Sequence, residues 1–253
     1  MALMRIQFFG RSIQKQTNMT VIVPDECEEG GPYPVYYLLH GLSDDDSIWT
    51  RRTSLERYVA GMPLIVVMPD GGRGFYTNAE RGSEFESHIM SDVVGFVDRF
   101  FPTVRRREGR AIGGLSMGGY GSMKLALKFP GMFASVAAHS SAFDVASRVA
   151  DAERSDEFRL IFGDRPEGGP EDPYQLAAQV DRSLLPAIRF DCGTEDRLIA
   201  ENRRFHEHLS GMGIEHEYEE FPGGHEWSYW DERVREALAF HGRALGIGSS
   251  GAP

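Results

Sequence analysis

Apolar residues along the chain fall into two patterns. Short unbroken runs of β-prone side chains recur at Val35-Tyr36-Tyr37-Leu38-Leu39, Leu64 to Met68, Ala111 to Leu115, Ser135 to Ala138 and Ala187 to Cys192, with a partly alternating run from Glu215 to Phe221. Unbroken runs of this length are expected of strands covered on both faces. Between them lie stretches whose apolar residues are three and four apart. Phe85 to Phe101 carries Ile89, Val93, Phe96, Val97 and Phe100 in this way, and Tyr120 to Phe129, Ala200 to Gly211 and Trp227 to Leu245 also read as helices. Arg5 to Phe9 and Thr17 to Val23 read as an opening hairpin across a polar turn. This alternation predicts an α/β fold, with a mostly parallel central sheet and helices on both faces.

The 253 residues show no internal repeat and no break in composition, so one domain over residues 1–253 is expected. Ala142 to Leu184 fits neither pattern and reads as a short, cap-like insert. The small, polar tail from Gly246 to Pro253 is expected to be loose.

Charge narrows the classes. Lys plus Arg is 27 against 38 Asp plus Glu, a formal charge of −11. A nucleic-acid binder needs a basic face to displace counterions, so no nucleic-acid partner is expected, nor docking on anionic lipid. The longest apolar runs, such as Pro63 to Met68, are far short of the ~20 residues of a membrane helix. Met1-Ala2-Leu3-Met4-Arg5 has no apolar stretch behind a basic start, so no signal peptide is read and a cytoplasmic location is expected. Cys27 and Cys192 cannot build a disulfide framework and are read as free thiols.

The chemistry starts at Gly114-Leu115-Ser116-Met117-Gly118, a G-x-S-x-G pattern that closes one predicted strand and opens a predicted helix. In that context the serine sits on a tight, strained turn, held out at the end of the sheet. A serine hydroxyl is a weak nucleophile at neutral pH. It needs a base to take its proton, and the base needs an orienting carboxylate. Both are expected at the ends of later strands, acid before histidine. The run ending at Cys192 leads into Gly193-Thr194-Glu195-Asp196, which places Asp196, with Glu195 and Asp191 as competitors. The run ending at Phe221 leads into Pro222-Gly223-Gly224-His225, which places His225. Of the other histidines, His206, His208 and His241 fall on helices and are expected to be solvated, and His40 reads as a loop-positioning residue. The two amides for the oxyanion are assigned to Met117, after the nucleophile, and to Leu42, in the loop His40-Gly41-Leu42.

Together, Leu38-Leu39-His40-Gly41-Leu42, Gly114 to Gly121, Gly193 to Asp196 and Gly223-Gly224-His225-Glu226-Trp227 resemble the esterase D branch of the α/β-hydrolases. Within that branch the chain is most similar to the tributyrin esterases, and Ile65 to Pro69 and Phe75 to Asn78 share the likeness, which runs from about Val35 to Trp230. The resemblance implies the α/β-hydrolase fold and a serine carboxylesterase for short acyl esters of small molecules. It also implies no metal or organic cofactor, and often a homo-oligomer.

Feruloyl esterases and S-formylglutathione hydrolases are relatives. The latter typically carry a cysteine shortly after the oxyanion glycine, whereas this loop reads Leu42-Ser43-Asp44-Asp45-Asp46-Ser47, whose aspartates would repel the carboxylates of glutathione. In this fold an insert such as 142–184 lies over the site, and Trp49, Phe75, Tyr76, Phe143, Leu198 and Trp227 are the candidate substrate-lining residues, with Phe158 and Phe162 beside them. Acyl transfer to an alcohol would use the same three side chains. A non-catalytic binding module would be expected to have lost one of them.

Overall fold

The computed structural model describes residues 1–25, 31–150 and 155–247; Cys27 and positions 248–253 of the tail lie outside them. Eight strands form one sheet: β1 (Ala2–Gly10), β2 (Lys15–Val23), β3 (Val35–Leu39), β4 (Ile65–Pro69), β5 (Arg110–Leu115), β6 (Ser135–His139), β7 (Ala187–Gly193) and β8 (Glu217–Phe221), in the order β1-β2-β4-β3-β5-β6-β7-β8. The opening pair is antiparallel, β2 is antiparallel to β4, and every pairing from β4 to β8 is parallel.

The hairpin is longer than its apolar pattern suggests, with Ala2 opposite Val23 and Gly10 opposite Lys15. Backbone pairing continues through half-exposed Leu3 and Met4, which hydropathy alone does not reveal. At the other edge β8 begins at Glu217, two residues later than the alternating pattern predicts. There the His216 imidazole turns back onto the Ile214 carbonyl at 2.7 Å.

β3, β4, β5 and β6 are buried along their whole length, which is why their sequences are unbroken apolar runs. The two-residue period is nonetheless present. Val35, Tyr37 and Leu39 pack on one face, with Ile89, Val93, Tyr120, Met123 and Phe205 in the same core. Tyr36 and Leu38 pack on the other, with Trp49, Leu55, Trp230, Val234 and Leu238. The first face carries the helices Met117–Lys128 and Ile199–Gly211 and the helical run from Phe85 to Phe100; the second carries Ile48–Arg52, Leu55–Tyr58 and Trp227–Leu245.

The run from Phe85 departs from its regular expectation. It contains a π-helical turn over His88–Val93. His88 is fully buried there, with Nδ1 3.1 Å from Asp92, whose carboxylate also accepts the Ser12 amide. His241 departs from its solvated expectation. It is fully buried on the sheet side of its helix, 2.8 Å from the Ser135 hydroxyl, and burial pushes its pKa down to about 3.

The chain leaves β3 toward β4 on one side, then returns past it to place β5 on the other. The carboxyl ends of β3 and β5 therefore flank a topological switch point, the crevice where open α/β sheets bind ligands. Residues between β6 and β7 supply the helices Val145–Ala150, Ser155–Phe162 and Pro173–Gln179, the last capped by Asp172 on the Tyr174 amide at 2.9 Å.

A buried charge cluster ties this insert to the body. Lys124, fully buried, donates to Glu86 at 2.7 Å, Glu171 at 2.8 Å and the Tyr76 carbonyl at 2.6 Å, which uses all three of its N–H bonds. Lys128 reaches the same two carboxylates at 2.9 and 2.7 Å. Burial pushes the Glu86 carboxyl up, but Lys124 and Lys128 outweigh it and hold it below the usual range. Lys124→Met should destabilise the fold by up to about 3–5 kcal/mol, because buried Glu86 and partly buried Glu171 are then left with Lys128 alone. Urea unfolding would measure this, and a loss below about 1 kcal/mol would contradict the assignment of structural weight to this cluster.

Candidate active site

The turn that carries Ser116 is built by close approach. β5 ends at Leu115 and a helix starts at Met117, three residues earlier than the apolar periodicity places it. The glycines at 118, 119 and 121 are poor helix formers, so propensity hides this first turn. Their value lies in packing: a Cβ on Gly114 would come 2.5 Å from the Leu39 carbonyl oxygen, and one on Gly118 would meet the carbonyls of Leu39 and His40 at 2.5 and 2.6 Å. Ser116 is left at φ 54, ψ −112, a conformation that costs a non-glycine residue on the order of 1–3 kcal/mol. It is held by its amide on the His139 carbonyl at 2.8 Å and by its own carbonyl, which accepts from Tyr120 at 3.0 Å.

His225 stands between Ser116 and Asp196. Its Nε2 is 3.0 Å from Ser116 Oγ, and its Nδ1 is 2.8 and 3.1 Å from the two Asp196 carboxylate oxygens. The carboxylate also accepts the Leu198 amide on Oδ1 at 2.8 Å. Burial pushes the Asp196 carboxyl up; hydrogen bonds from His225, Leu198 and Ser140 outweigh it and hold it below the ordinary range. An acceptor-only carboxylate on one side fixes the imidazole proton on Nδ1 and leaves Nε2 to accept from the serine.

The competing acids are engaged elsewhere. Asp191 accepts from Tyr229 at 2.9 Å and pairs with the buried His139 at 2.8 Å. Glu195 accepts from the Thr194 hydroxyl and the Gly223 amide, so it clasps the loop that carries His225. No sequence pattern marked that role. Asn202 is a second unmarked residue: its side-chain amide donates to the Ser141 and Leu198 carbonyls, both at 2.9 Å, and joins the loops after β6 and β7.

On the β3 side, His40 bridges two loops. Its Nε2 accepts the Gly71 amide at 2.8 Å, so Nδ1 carries the proton that is donated to the Gly41 carbonyl at 2.8 Å. The Tyr76 hydroxyl donates to the His40 carbonyl at 2.9 Å. A Cβ on Gly41 would lie 3.8 Å from that of Ser116, so this loop rests against Ser116. The Leu42 amide donates to no acceptor among the described residues, and the Met117 amide, first in its helix, has no intrahelical acceptor.

Of the three aspartates in this loop, Asp46 is buried on Thr20 at 2.7 Å and Asp45 accepts from the Ser47 hydroxyl and amide. Only Asp44 remains beside Gly41, with its pKa raised by burial and by the neighbouring Asp45 charge. The Ser47 hydrogen bonds hold Asp45 ionised, so its charge stays beside Asp44, and among the described residues only Asp46 has a cationic partner, Arg5 at 3.4 Å.

The predicted lining residues separate by exposure. Trp49, Tyr76 and Phe143 are fully covered and offer no surface to a ligand. Trp49 donates its indole N–H to the Leu39 carbonyl at 3.2 Å, and Phe143 packs into the core between Phe190 and Phe205. Their burial does not match the expected lining role, a correction for these three rings. Phe75, Leu198 and the half-buried Trp227 keep some surface; Phe75 contacts Phe158 and Phe162 of the insert at ring separations of 5.4 and 5.5 Å.

The esterase family model matches residues 10–241. The chain belongs to the esterase family. This esterase is 29% identical to an acetyl esterase of Caldicellulosiruptor saccharolyticus, over 94% of its own length and 97% of the relative's. It is 30% identical to an esterase of Mycobacterium tuberculosis, over 82% of its own length, and spans about half of that relative, 52%. Among solved structures it resembles the fluorophosphonate-binding serine hydrolase F of Staphylococcus aureus, substrate bound, with a TM-score of 0.88, 31% identity and coverage of 95% and 98% of the two chains. It also resembles the S-formylglutathione hydrolase of the same organism, with a TM-score of 0.85, 29% identity and the same coverage. The fold is that of the α/β-hydrolases, and the enzyme is a carboxylic ester hydrolase. No helix among the described residues is long and apolar enough to cross a membrane.

Proposed function

We propose that the enzyme is a serine carboxylesterase that hydrolyses short-chain acyl esters through a covalent acyl-enzyme. The observation that carries this is the His225 imidazole, within hydrogen-bonding distance of the Ser116 hydroxyl on one side and the Asp196 carboxylate on the other. His225 Nε2 takes the Ser116 proton as Oγ attacks the ester carbonyl carbon. The Leu42 and Met117 amides receive the oxyanion of the tetrahedral intermediate, aided by the positive end of the helix that Met117 opens. The imidazolium, stabilised by Asp196, then protonates the departing alkoxide, and the acyl group stays on Ser116. A water deprotonated by His225 attacks the acyl carbonyl, and the imidazolium returns that proton to Ser116 Oγ as the acid leaves. Both half-reactions use the same base and the same amides.

The short-chain reading rests on the insert. Phe75 is closed over by Phe158 and Phe162, and the Lys124 cluster ties Glu171 of the insert to the loop carrying Phe75 and Tyr76. A wall held at both ends leaves little room for a long acyl chain. The similarity to an acetyl esterase supports the same class.

A fluorophosphonate probe should label Ser116 stoichiometrically, as located by peptide mass spectrometry. Across p-nitrophenyl esters from acetate to palmitate, kcat/KM should be highest from acetate to butyrate. It should fall about tenfold or more by octanoate, equivalent to about 1.4 kcal/mol of misfit. A maximum at long chains would refute the small pocket. Higher kcat/KM on a feruloyl ester or on S-formylglutathione would replace the substrate class while keeping the chemistry.

A further inference from the structure

His40 takes no part in the steps above, yet both nitrogens of its ring are engaged. The ring is buried directly after β3. Its Nε2 accepts the Gly71 amide at 2.8 Å, so the neutral imidazole carries its one proton on Nδ1. That proton goes to the Gly41 carbonyl at 2.8 Å. Asp70 Oδ1 stands 3.7 Å from Nε2, beyond hydrogen-bond distance, and accepts the Gly72 amide at 2.9 Å. The Tyr76 ring packs against the imidazole with centroids 5.9 Å apart, and its hydroxyl donates to the His40 carbonyl.

The Gly41 carbonyl is one half of a peptide group whose other half is the Leu42 N–H. That peptide is trans, so the carbonyl and the N–H lie in one plane and point in opposite directions. Whatever fixes the carbonyl therefore aims the amide. Two donors fix it. One is His40 Nδ1; the other is the Asp44 amide at 3.3 Å, which closes a four-residue turn with Ser43 at φ 74. A carbonyl that closes such a turn points inward, which leaves the next N–H pointing out of it. The Asp44 bond is long, so the shorter bond from His40 is the stronger restraint. This peptide lies against the turn that carries Ser116: a Cβ on Gly41 would come 2.6 Å from Leu115 Cδ1 and 3.8 Å from Ser116 Cβ.

We infer that His40 is a positioning residue for the oxyanion: its Nδ1–H holds the Gly41 carbonyl and so aims the Leu42 N–H, while the Gly71 amide keeps the proton on Nδ1. This rests on Ser116 being the nucleophile and the Leu42 amide an oxyanion donor. Among the described residues no hydrogen bond joins the His40 ring to Ser116 or His225; its two partners are Gly41 and Gly71. Its influence therefore falls where the oxyanion forms, in the transition state, and spares substrate binding.

The test replaces the two ring nitrogens one at a time, in the whole protein. A glutamine carries its amide oxygen to where Nε2 lies and accepts the Gly71 N–H, but has nothing to donate at the place of Nδ1. An asparagine puts its NH2 group where Nδ1 lies and keeps the donor to Gly41, but leaves Gly71 without an acceptor. His40→Gln should fold with a Tm close to that of the wild type. Its kcat for p-nitrophenyl acetate should fall about 10- to 100-fold with KM nearly unchanged, less than the roughly 100- to 1,000-fold of losing an oxyanion donor outright. His40→Asn should regain all but about two- to fivefold of kcat, and its Tm should fall by about 2–10 °C for the orphaned Gly71 amide. The acid limb of kcat/KM, which belongs to His225, should stay in place in both.

Wild-type kcat in His40→Gln, a loss carried by KM alone, or equal losses of kcat in the two variants would overturn the proposal. So would a displaced acid limb, which would put His40 behind the base. Should His40→Gln fail to fold, a kcat more than about tenfold below the wild type in His40→Asn would overturn it instead. Fluorophosphonate labelling of the wild type at Ser116 separates the two levels. No label at Ser116 would refute the underlying reading, whereas normal labelling with wild-type kcat in His40→Gln would refute only this one.

Discussion

Ser116→Ala should lower kcat for p-nitrophenyl acetate by about 10,000-fold to a million-fold, and leave the protein folded. The size follows from what is removed. Without Oγ there is no atom to carry the acyl group, and the only route left is direct attack by water, helped by the Leu42 and Met117 amides. The fold should tolerate the change because the turn is set by backbone. Ser116 keeps φ 54 through its amide on His139 and through the glycine contacts at 114 and 118, none of which involves the hydroxyl. Alanine bears the same Cβ, so the backbone strain stays and only the bond to His225 is lost. A stability change within about 1 kcal/mol is expected. The measurement pairs turnover, in a preparation from a host lacking its own esterases, with thermal unfolding and fluorophosphonate labelling. Turnover within about tenfold of the wild type would mean that another group is the nucleophile.

How much of this site was legible in the sequence depends on whether the relevant signal is local. The runs that became β3 to β7 were legible because strands buried on both faces are mostly apolar, although β7 also buries Arg189 and Asp191. Ser116 and Asp196 were expected where they are because each follows such a run, and His225 because it follows the alternating run that became β8, in the chain order this topology imposes. The hairpin ends and the start of β8 were not, since exposed edge residues pair through backbone that any side chain permits. The π turn over His88–Val93 was hidden because its apolar spacing is close to that of an ordinary helix.

Fully buried Lys124 and His241 ran against the rule that polar residues on helices face solvent. Their partners are Glu86, Glu171 and Ser135, distant in sequence, and no periodicity reports a long-range ion pair. The same reason hid Glu195 and Asn202. Each acts through a neighbour that only the folded chain supplies. The aromatic residues around the site show the converse error. Ring size marked them as pocket walls, whereas depth decides it: Trp49, Tyr76 and Phe143 lie one layer too deep.

Asp196→Asn should reduce kcat at neutral pH by about 10,000-fold, although it changes a single atom. The reason lies in which oxygen is already engaged. Oδ1 accepts the Leu198 amide at 2.8 Å, and Oδ2 faces His225 Nδ1 at 2.8 Å. An asparagine keeps its carbonyl oxygen on the Leu198 N–H, and its NH2 group then faces Nδ1. A donor there forces the imidazole proton onto Nε2, which turns a donor toward the serine and removes the base. Glu195→Gln is the matched control. That side chain bonds outward to Thr194 and Gly223, so it should lose less than about tenfold.

Stability should report the same carboxylate with a definite sign. Asp196 is held below the ordinary carboxyl range in the folded state, so its contribution is present above the unfolded-state pKa and is lost as pH falls through the folded value. The Tm advantage of the wild type over Asp196→Asn should therefore be largest near neutrality and shrink on acidification. A gap that widens in acid, or an asparagine variant with near wild-type kcat, would show that another acid orients His225.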